Sequence, residues 1–274
     1  MKADVSRRFG GVGRVYGVDA LARFQEARVC VVGIGGVGSW AAEALARSAV
    51  GKITLIDLDM VAESNVNRQI HALGEVFGCA KTTLMAERIR AIHPACEVEE
   101  IEDFVTPDNL DAFLGRGFDF VIDAIDQLTV KAAMIAWCKR HALPIVTTGG
   151  AGGRIDPARI GVADLAGTFQ DPLLSKLRML LRRDYAECGF PREAKQFGVP
   201  AVFSSEALRR PCTEDAASPA APRAGLSCVG YGSSVCITAS FGFFAAGEVL
   251  RHLASPDPMR AAEKSAVLQG VCVR

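Results

Sequence analysis

The stretch that decides the fold is RVCVVGIGGVG, residues 28–38, followed by SWAAEALARS, residues 39–48. It begins as a β-branched run that stops at Gly33, and it continues into a helical pattern over residues 37–48. Gly33, Gly35, Gly36 and Gly38 satisfy G-x-G-x-x-G between a strand and a helix, where a phosphate can approach the backbone and the helix N-terminus. The motif therefore predicts a nucleotide site. The alternative is a glycine-rich turn that serves only close helix–strand packing.

Strand and helix patterns alternate over the next hundred residues. We expect four further strands at residues 52–57, 97–101, 118–124 and 144–148, and two further helices at about 81–93 and 129–141. This alternation predicts an α/β fold with a Rossmann-like, doubly wound and mainly parallel sheet.

The pattern changes after Gly149, where short extended pieces are separated by Gly and Pro. We expect a C-terminal extension of the sheet by differently paired strands, a charged helix at about 171–185, a loop at 211–225 and a last helix at 241–253. The chain then divides into an ATP-binding half and a C-terminal half of the same domain, residues 1–150 and 151–274.

The composition excludes a disordered or fibrous chain and a polybasic, histone-like protein. The 274 residues contain 31 Lys and Arg against 31 Asp and Glu, so a nucleic acid would have to be held by a local basic patch. The nine cysteines include no C-x-x-C pair, which predicts a reduced, cytoplasmic protein without zinc. Residues 226–247 carry no charge, but they are rich in Gly, Ser and Thr, so we expect a loop that leads into a buried helix and no membrane span.

The polar residues after the second strand separate ATP from NAD. Asp57 is placed to accept hydrogen bonds from ribose hydroxyls, which suits either nucleotide. Arg68 and Lys81 favour ATP, because a leaving pyrophosphate needs cations on its developing charge. The alternative for either residue alone is a solvated surface charge.

Two aspartates close the fourth predicted strand. Asp126 lies one step past the strand and is the better candidate to hold Mg²⁺ between phosphates. Asp123 is either a second metal ligand or a structural acid that binds nearby loop amides.

These motifs carry a family resemblance. GIGGVGSWAAEALARS, DLDMVAESNVNRQIHAL, Lys81 and DAIDQ resemble the ATP-dependent adenylating family that includes ubiquitin-activating enzymes and bacterial activators of sulfur-carrier proteins. Within it, RFGGVGRVYG, FVTPDN, TTGGAGGRIDPARI, DPLLSKLR and VFSSEAL are most similar to members that dehydrate threonylcarbamoyladenosine in tRNA. The likeness covers residues 7–253, with a gap at 211–225.

The resemblance implies adenylation of a carboxylate on tRNA with ATP and Mg²⁺, in a homodimer with a sulfur-transfer protein as a candidate partner. It implies nucleotide contacts by ten residues: Gly33, Gly35, Gly36, Gly38, Asp57, Asp59, Asn67, Arg68, Lys81 and Asp126. Arg68, Lys81 and Asp126 are the catalytic candidates. The family's N-terminal arginine aligns with Gly11, with Arg8 or Arg14 as its replacement.

Basic residues in the C-terminal half are the candidates for binding tRNA phosphates: Lys176, Arg178, Arg182, Arg183, Arg209 and Arg210. The alternative is a solvated charged face. Cys228 lies where related dehydratases carry a cysteine, but no cation neighbours it in sequence, so a packed thiol is the stronger interpretation.

Three other functions fit parts of the pattern. An activator of a small carrier protein's C-terminal glycine shares the adenylation step. An NAD-dependent oxidoreductase shares the glycine motif, and a nucleotide-binding regulator without turnover shares the whole nucleotide site.

Overall fold

The structure, a computed structural model, describes residues 4–209 and 231–255. The predicted loop at 211–225, Arg210 and Cys228 lie outside these residues. The strands are β1 (Arg28–Val32), β2 (Lys52–Ile56), β3 (Glu97–Ile101), β4 (Phe120–Asp123), β5 (Ile145–Thr148), β6 (Ile160–Asp164) and β7 (Pro200–Ser204). The helices are α1 (Val5–Tyr16), α2 (Val18–Glu26), α3 (Gly38–Arg47), α4 (Lys81–Ile92), α5 (Leu110–Leu114), α6 (Leu128–Arg140), α7 (Pro172–Asp184) and α8 (Val235–Ala254).

The strands form one sheet in the order β3-β2-β1-β4-β5-β7-β6. Neighbouring strands are parallel except β6 and β7, which are antiparallel. The predicted Rossmann-like sheet and its C-terminal extension are therefore confirmed. The strand order reverses at β1, and a crevice is expected there, outside the carboxyl ends of the strands. Val32 at the end of β1 aligns with Ile56 and Asp123, so the three following loops leave the sheet together.

Both faces of the sheet are covered by helices, which explains why central strands such as β1 and β4 are almost continuously apolar. Val29 and Val31 of β1 face a core completed by α2, α3, α4 and α8. Cys30 and Val32 face a second core completed by α5, α6 and α7.

Helix α8 begins at Val235, six residues before the predicted start at Phe241. It packs closely on α3 because Gly242 has no side chain. A Cβ at Gly242 would lie 2.5 Å from the carbonyl oxygen of Val37 and 2.8 Å from the amide of Ala41. The last helix is thus fixed against the helix that follows the glycine loop. In the two described segments, no helix has the length and hydropathy needed to cross a membrane.

Helices α1 and α2 were not predicted, because the sequence around them is rich in glycine. Asp4 caps α1 by accepting a hydrogen bond from the amide of Arg7. The guanidinium of Arg8 donates to the carbonyl of Ile92 at 2.7 Å, which satisfies the C-terminal end of α4. Long-range contacts therefore hold this segment in place.

Strand β3 forms one edge of the sheet and carries acidic side chains. Three ion pairs join it to neighbouring basic residues: Glu97 with Lys52, Glu99 with Arg116, and Glu100 with Arg90. These pairs are partly exposed, so each contributes little to the free energy of unfolding.

Candidate active site

A cavity of about 430 Å³ lies at the carboxyl ends of β1, β2, β4 and β5. It is lined by eight of the ten predicted nucleotide-binding residues: Gly33, Gly35, Gly36, Asp57, Asp59, Arg68, Lys81 and Asp126. The remaining two, Gly38 and Asn67, are not part of the lining. The sequence motifs thus meet at one site.

The glycines of the loop have different tasks. Gly33 has φ +87°, and a Cβ there would lie 3.0 Å from the backbone of Ala124. A Cβ at Gly38 would lie 1.8 Å from the carbonyl oxygen of Gly33, so a side chain would prevent the tight packing of α3 on β1. A Cβ at Gly35 would meet no atom within 4 Å and would only narrow the cavity. Gly35 therefore leaves room for a ligand group beside the backbone.

Asp57 shapes the glycine loop. One carboxylate oxygen accepts from the amide of Ile34 at 2.6 Å, and the other accepts from the amide of Asp59 at 2.8 Å. Burial raises the pKa of Asp57, and the nearby Lys81 ammonium opposes this rise. The sequence predicts ribose hydroxyls as partners of Asp57. Its oxygens are each bound to a backbone amide here, and each can accept a further hydrogen bond.

Lys81 is a buried cation that lines the cavity. It is the first residue of α4, and its side chain is 7% exposed. Its ammonium lies 2.6 Å from a carboxylate oxygen of Asp59, whose side chain is 58% exposed. Burial, with the nearby cations of Lys81 and Arg88, lowers the pKa of His71 to about 4. His71 is therefore neutral at pH 7.

Arg68 is the second cation of the cavity, and its surroundings fix both its ends. Its carbonyl oxygen accepts from the indole nitrogen of Trp40 at 2.9 Å. Its guanidinium donates to the carbonyl of Ser64 and to the side-chain oxygen of Asn67, both at 2.9 Å. A Cβ at Gly36 would lie 3.0 Å from Cγ of Arg68. The absence of a side chain at Gly36 therefore allows the Arg68 side chain to pack against the glycine loop.

Two amide residues beside Arg68 were missed at the sequence level. Asn65 and Gln69 are nearly buried and line the cavity, whereas Asn67 holds Arg68 and donates to the carbonyl of Ser233 at 3.0 Å. The 3-10 turn Glu63–Asn65 places Asn65 beside the cavity. The two asparagines of SNVNRQ indicate a polar site, but the sequence does not show which of the two lines the cavity.

The two aspartates after β4 have separate environments. Asp123 is fully buried, 2.7 Å from the ammonium of Lys131 and 2.7 Å from the hydroxyl of Thr147. It is a structural acid, which resolves the alternative left open by the sequence. Asp126 is exposed and lines the cavity. The described residues contain no group of three or more His, Cys, Asp or Glu side chains that could hold a metal ion.

The basic residues predicted to bind tRNA that the structure describes do not form one continuous surface, because three of them contact other groups of the chain. Arg178 donates to the hydroxyl of Thr168 at 2.5 Å, and Arg182 lies over the ring of Phe197 at 5.0 Å. Arg209 pairs with Glu206 at 2.9 Å. These three arginines are thus held by other groups of the chain.

A groove of about 890 Å³ lies beside α7 and includes Arg182 and also Arg183, which pairs with the neighbouring Asp184 at 2.6 Å. It is lined by the predicted residues Lys176, Arg182 and Arg183, together with Arg192, around the exposed side chain of Met179. The sequence did not single out Arg192, because it is distant in sequence from the cluster on α7.

Three of the described thiols lie in the apolar core. Burial raises the pKa of Cys30 and of Cys138, and it raises the pKa of Cys96 to about 12. These three cysteines are protonated core residues at pH 7.

The fold and the cavity define a nucleotide-binding α/β protein with a Rossmann-like sheet. The chain belongs to the ThiF family, which it matches over residues 7–270. It is 51% identical over 253 residues to the tRNA threonylcarbamoyladenosine dehydratase of Escherichia coli (strain K12), covering 90% of this chain and 93% of that protein. It is 48% identical over 248 residues to the Haemophilus influenzae protein of the same name, with coverage of 90% and 93%.

The fold also matches a solved structure. The crystal structure of the E. coli dehydratase in complex with ATP has a TM-score of 0.83 and 48% sequence identity, covering 96% of this chain and 99% of that chain. The family resemblance inferred from the motifs is confirmed.

Proposed function

We propose that this chain is an ATP-dependent dehydratase of N6-threonylcarbamoyladenosine in tRNA. The observation that carries the proposal is the cavity at the carboxyl ends of the strands, which is lined by the cations of Arg68 and Lys81 and where Gly35 leaves open space beside the backbone. The E. coli relative of that name, whose structure contains ATP, supports the assignment.

The reaction has two steps. The threonyl carboxylate attacks the α-phosphorus of ATP, which forms a mixed anhydride and releases pyrophosphate. A ureido nitrogen of the same substituent then attacks the activated carbonyl, closes a five-membered ring and releases AMP and a proton. The oxygen lost from the carboxylate leaves on AMP, so the net change in the nucleoside is the loss of one water.

The residues of the cavity assist the adenylation step by their positions and charges. Lys81 and Arg68 are held at the cavity before ATP arrives, so their charges are preorganised for the leaving pyrophosphate. Asp126 would hold Mg²⁺ with phosphate oxygens, and the ion would neutralise part of their charge. Ring closure is intramolecular, where effective molarities reach the order of 10⁵ M, so it requires no enzyme nucleophile.

The direct test is mass spectrometry of nucleosides from tRNA that carries threonylcarbamoyladenosine, incubated with the pure protein, ATP and Mg²⁺. We expect a nucleoside lighter by one water and equal amounts of AMP. Omission of ATP, or its replacement by NAD, should leave the nucleoside unchanged. An acyl-adenylate on a carrier protein, with unmodified tRNA, would instead support the carrier-protein activator.

We also propose a cytoplasmic homodimer in which Arg14 takes the role of the family's N-terminal arginine. Arg14 is exposed at the end of α1, whereas Arg8 is bound to the end of α4 in its own chain. A sulfur-transfer protein stays a prediction from the family resemblance.

We place the tRNA on the groove lined by Lys176, Arg182, Arg183 and Arg192. Neutralisation of phosphates by basic side chains releases counterions, so the logarithm of affinity falls linearly with the logarithm of salt concentration. Replacement of Lys176, Arg183 and Arg192 by Gln should flatten this slope by about one unit for each lost contact. The measurement is a salt titration of tRNA binding, with ATP affinity measured in parallel and expected to stay constant.

A matched control removes three basic residues from the other edge of the sheet: Lys52, Arg90 and Arg116, each replaced by Gln. The net charge changes equally, but the salt slope should keep its wild-type value. Equal slopes in the wild type and the groove variant would place the tRNA on another surface.

A further inference from the structure

Buried polar side chains in proteins almost always have a hydrogen-bond partner, so an exception inside a cavity points to a ligand. Of the described buried atoms without a partner, Oε1 of Gln69 and Oγ1 of Thr238 belong to residues that line the nucleotide cavity. Thr238 is 2% exposed and lies on α8, far in sequence from the other residues of the site.

Local helix bonding does not use the Thr238 hydroxyl. A threonine inside a helix commonly donates to the carbonyl four residues earlier. Here that carbonyl, of Ser234, already accepts the amides of Ile237 at 3.1 Å and Thr238 at 3.0 Å. The hydroxyl is therefore left with a donor and no acceptor within the described protein.

The position of Thr238 is at the phosphate side of the cavity. The point where a Cβ on Gly36 would lie is 3.5 Å from Cβ of Thr238 and 3.0 Å from Cγ of Arg68. The glycine loop, a cation and an unpaired hydroxyl thus converge. Thr238 also lies in the first turns of α8, whose N-terminus has no side-chain cap and a positive end of the helix dipole.

We propose that the Thr238 hydroxyl binds the β- and γ-phosphates of ATP, the pyrophosphate that leaves during adenylation. This inference rests on the proposed use of ATP. The hydroxyl donates to a phosphate oxygen beside Arg68, and it contributes a hydrogen bond without adding charge. Because α8 is packed on α3 through Gly242, the donor is held in register with the glycine loop.

A structural role and a ligand role predict opposite results for Thr238→Val. The change replaces an unpaired buried hydroxyl with a methyl group of similar size, so the melting temperature of the free protein should stay equal or rise. A hydrogen bond to a charged phosphate would be lost, which should weaken ATP binding about tenfold or more.

The experiment is calorimetric titration of ATP, AMP and inorganic pyrophosphate into the wild type, Thr238→Val and Thr238→Ser. We expect Val to weaken ATP and pyrophosphate binding and to leave AMP binding unchanged, while Ser retains wild-type values. Thr82→Val is the matched control, because Thr82 is equally buried and unpaired but does not line the cavity.

Unchanged ATP affinity in Thr238→Val would overturn the inference, and so would an equal loss for AMP, because that would place the hydroxyl on the nucleoside or α-phosphate. A wild-type protein that binds ATP but never modifies tRNA would overturn the proposed function alone. A wild-type protein that binds neither ATP nor pyrophosphate would overturn both.

Discussion

Arg68→Ala and Lys81→Ala should each slow tRNA-dependent release of pyrophosphate by about 10²-fold or more, the usual cost of removing one preorganised charge stabiliser. Both side chains line the cavity and are bound to neighbouring oxygens before any ligand arrives. Their loss should spare the fold, because the Asp59 carboxylate left behind by Lys81 is 58% exposed and can be hydrated.

The measurement is the rate of pyrophosphate release at saturating ATP and tRNA, with circular dichroism to confirm folding. Arg47→Ala is a suitable control, since Arg47 is an exposed cation that follows the same glycine loop on α3 but does not line the cavity. Turnover near that of the wild type in both cavity variants would remove the basis of the ATP assignment.

Lys131→Met should lower the free energy of unfolding by about 3–5 kcal/mol, because it leaves the Asp123 carboxylate buried without a counter-charge. Burial raises the pKa of Asp123 and Lys131 opposes this rise, so the variant's carboxyl binds a proton more readily than in the unfolded chain. The unfolded group ionises above about pH 3.9, so the loss of stability should be smaller at pH 5 than at pH 8.

Urea unfolding at the two pH values measures the effect. The double variant Asp123→Leu with Lys131→Met removes both charges and should recover most of the stability lost in Lys131→Met. If Lys131→Met is as stable as the wild type at pH 8, the buried Asp123 carboxylate does not depend on the charge of Lys131.

The first half of the fold was predictable because its signals are local. A β-branched run that ends in glycine identifies β1, and the alternation of strand and helix patterns limits the topology to a few choices. The sequence pattern predicts the start of α8 six residues too late, because β-branched and hydroxyl residues at 235–240 have low helix propensity and only packing on α3 makes them helical.

The residues that line the cavity were predictable where a sequence motif identifies them, and they were not where the fold decides the direction of a side chain. The sequence analysis names Asn67 and not Asn65, whereas the turn after β2 places Asn65 at the cavity and Asn67 against Arg68. Thr238 lines the cavity although it lies on α8, far in sequence from the glycine loop. Arg178 is bound by Thr168, ten residues away, which no helical spacing reveals.

The acidic edge strand β3 has a consequence for solubility. An exposed strand edge can pair with the edge of another molecule and start aggregation, and side-chain charge is one way by which proteins prevent this. Because the chain has no net charge, long-range repulsion between molecules is weak, and protection depends on the local carboxylates of Glu97, Glu99 and Glu100. Replacement of these three glutamates by Gln at neutral pH therefore removes the local charge that keeps the edges of neighbouring sheets apart.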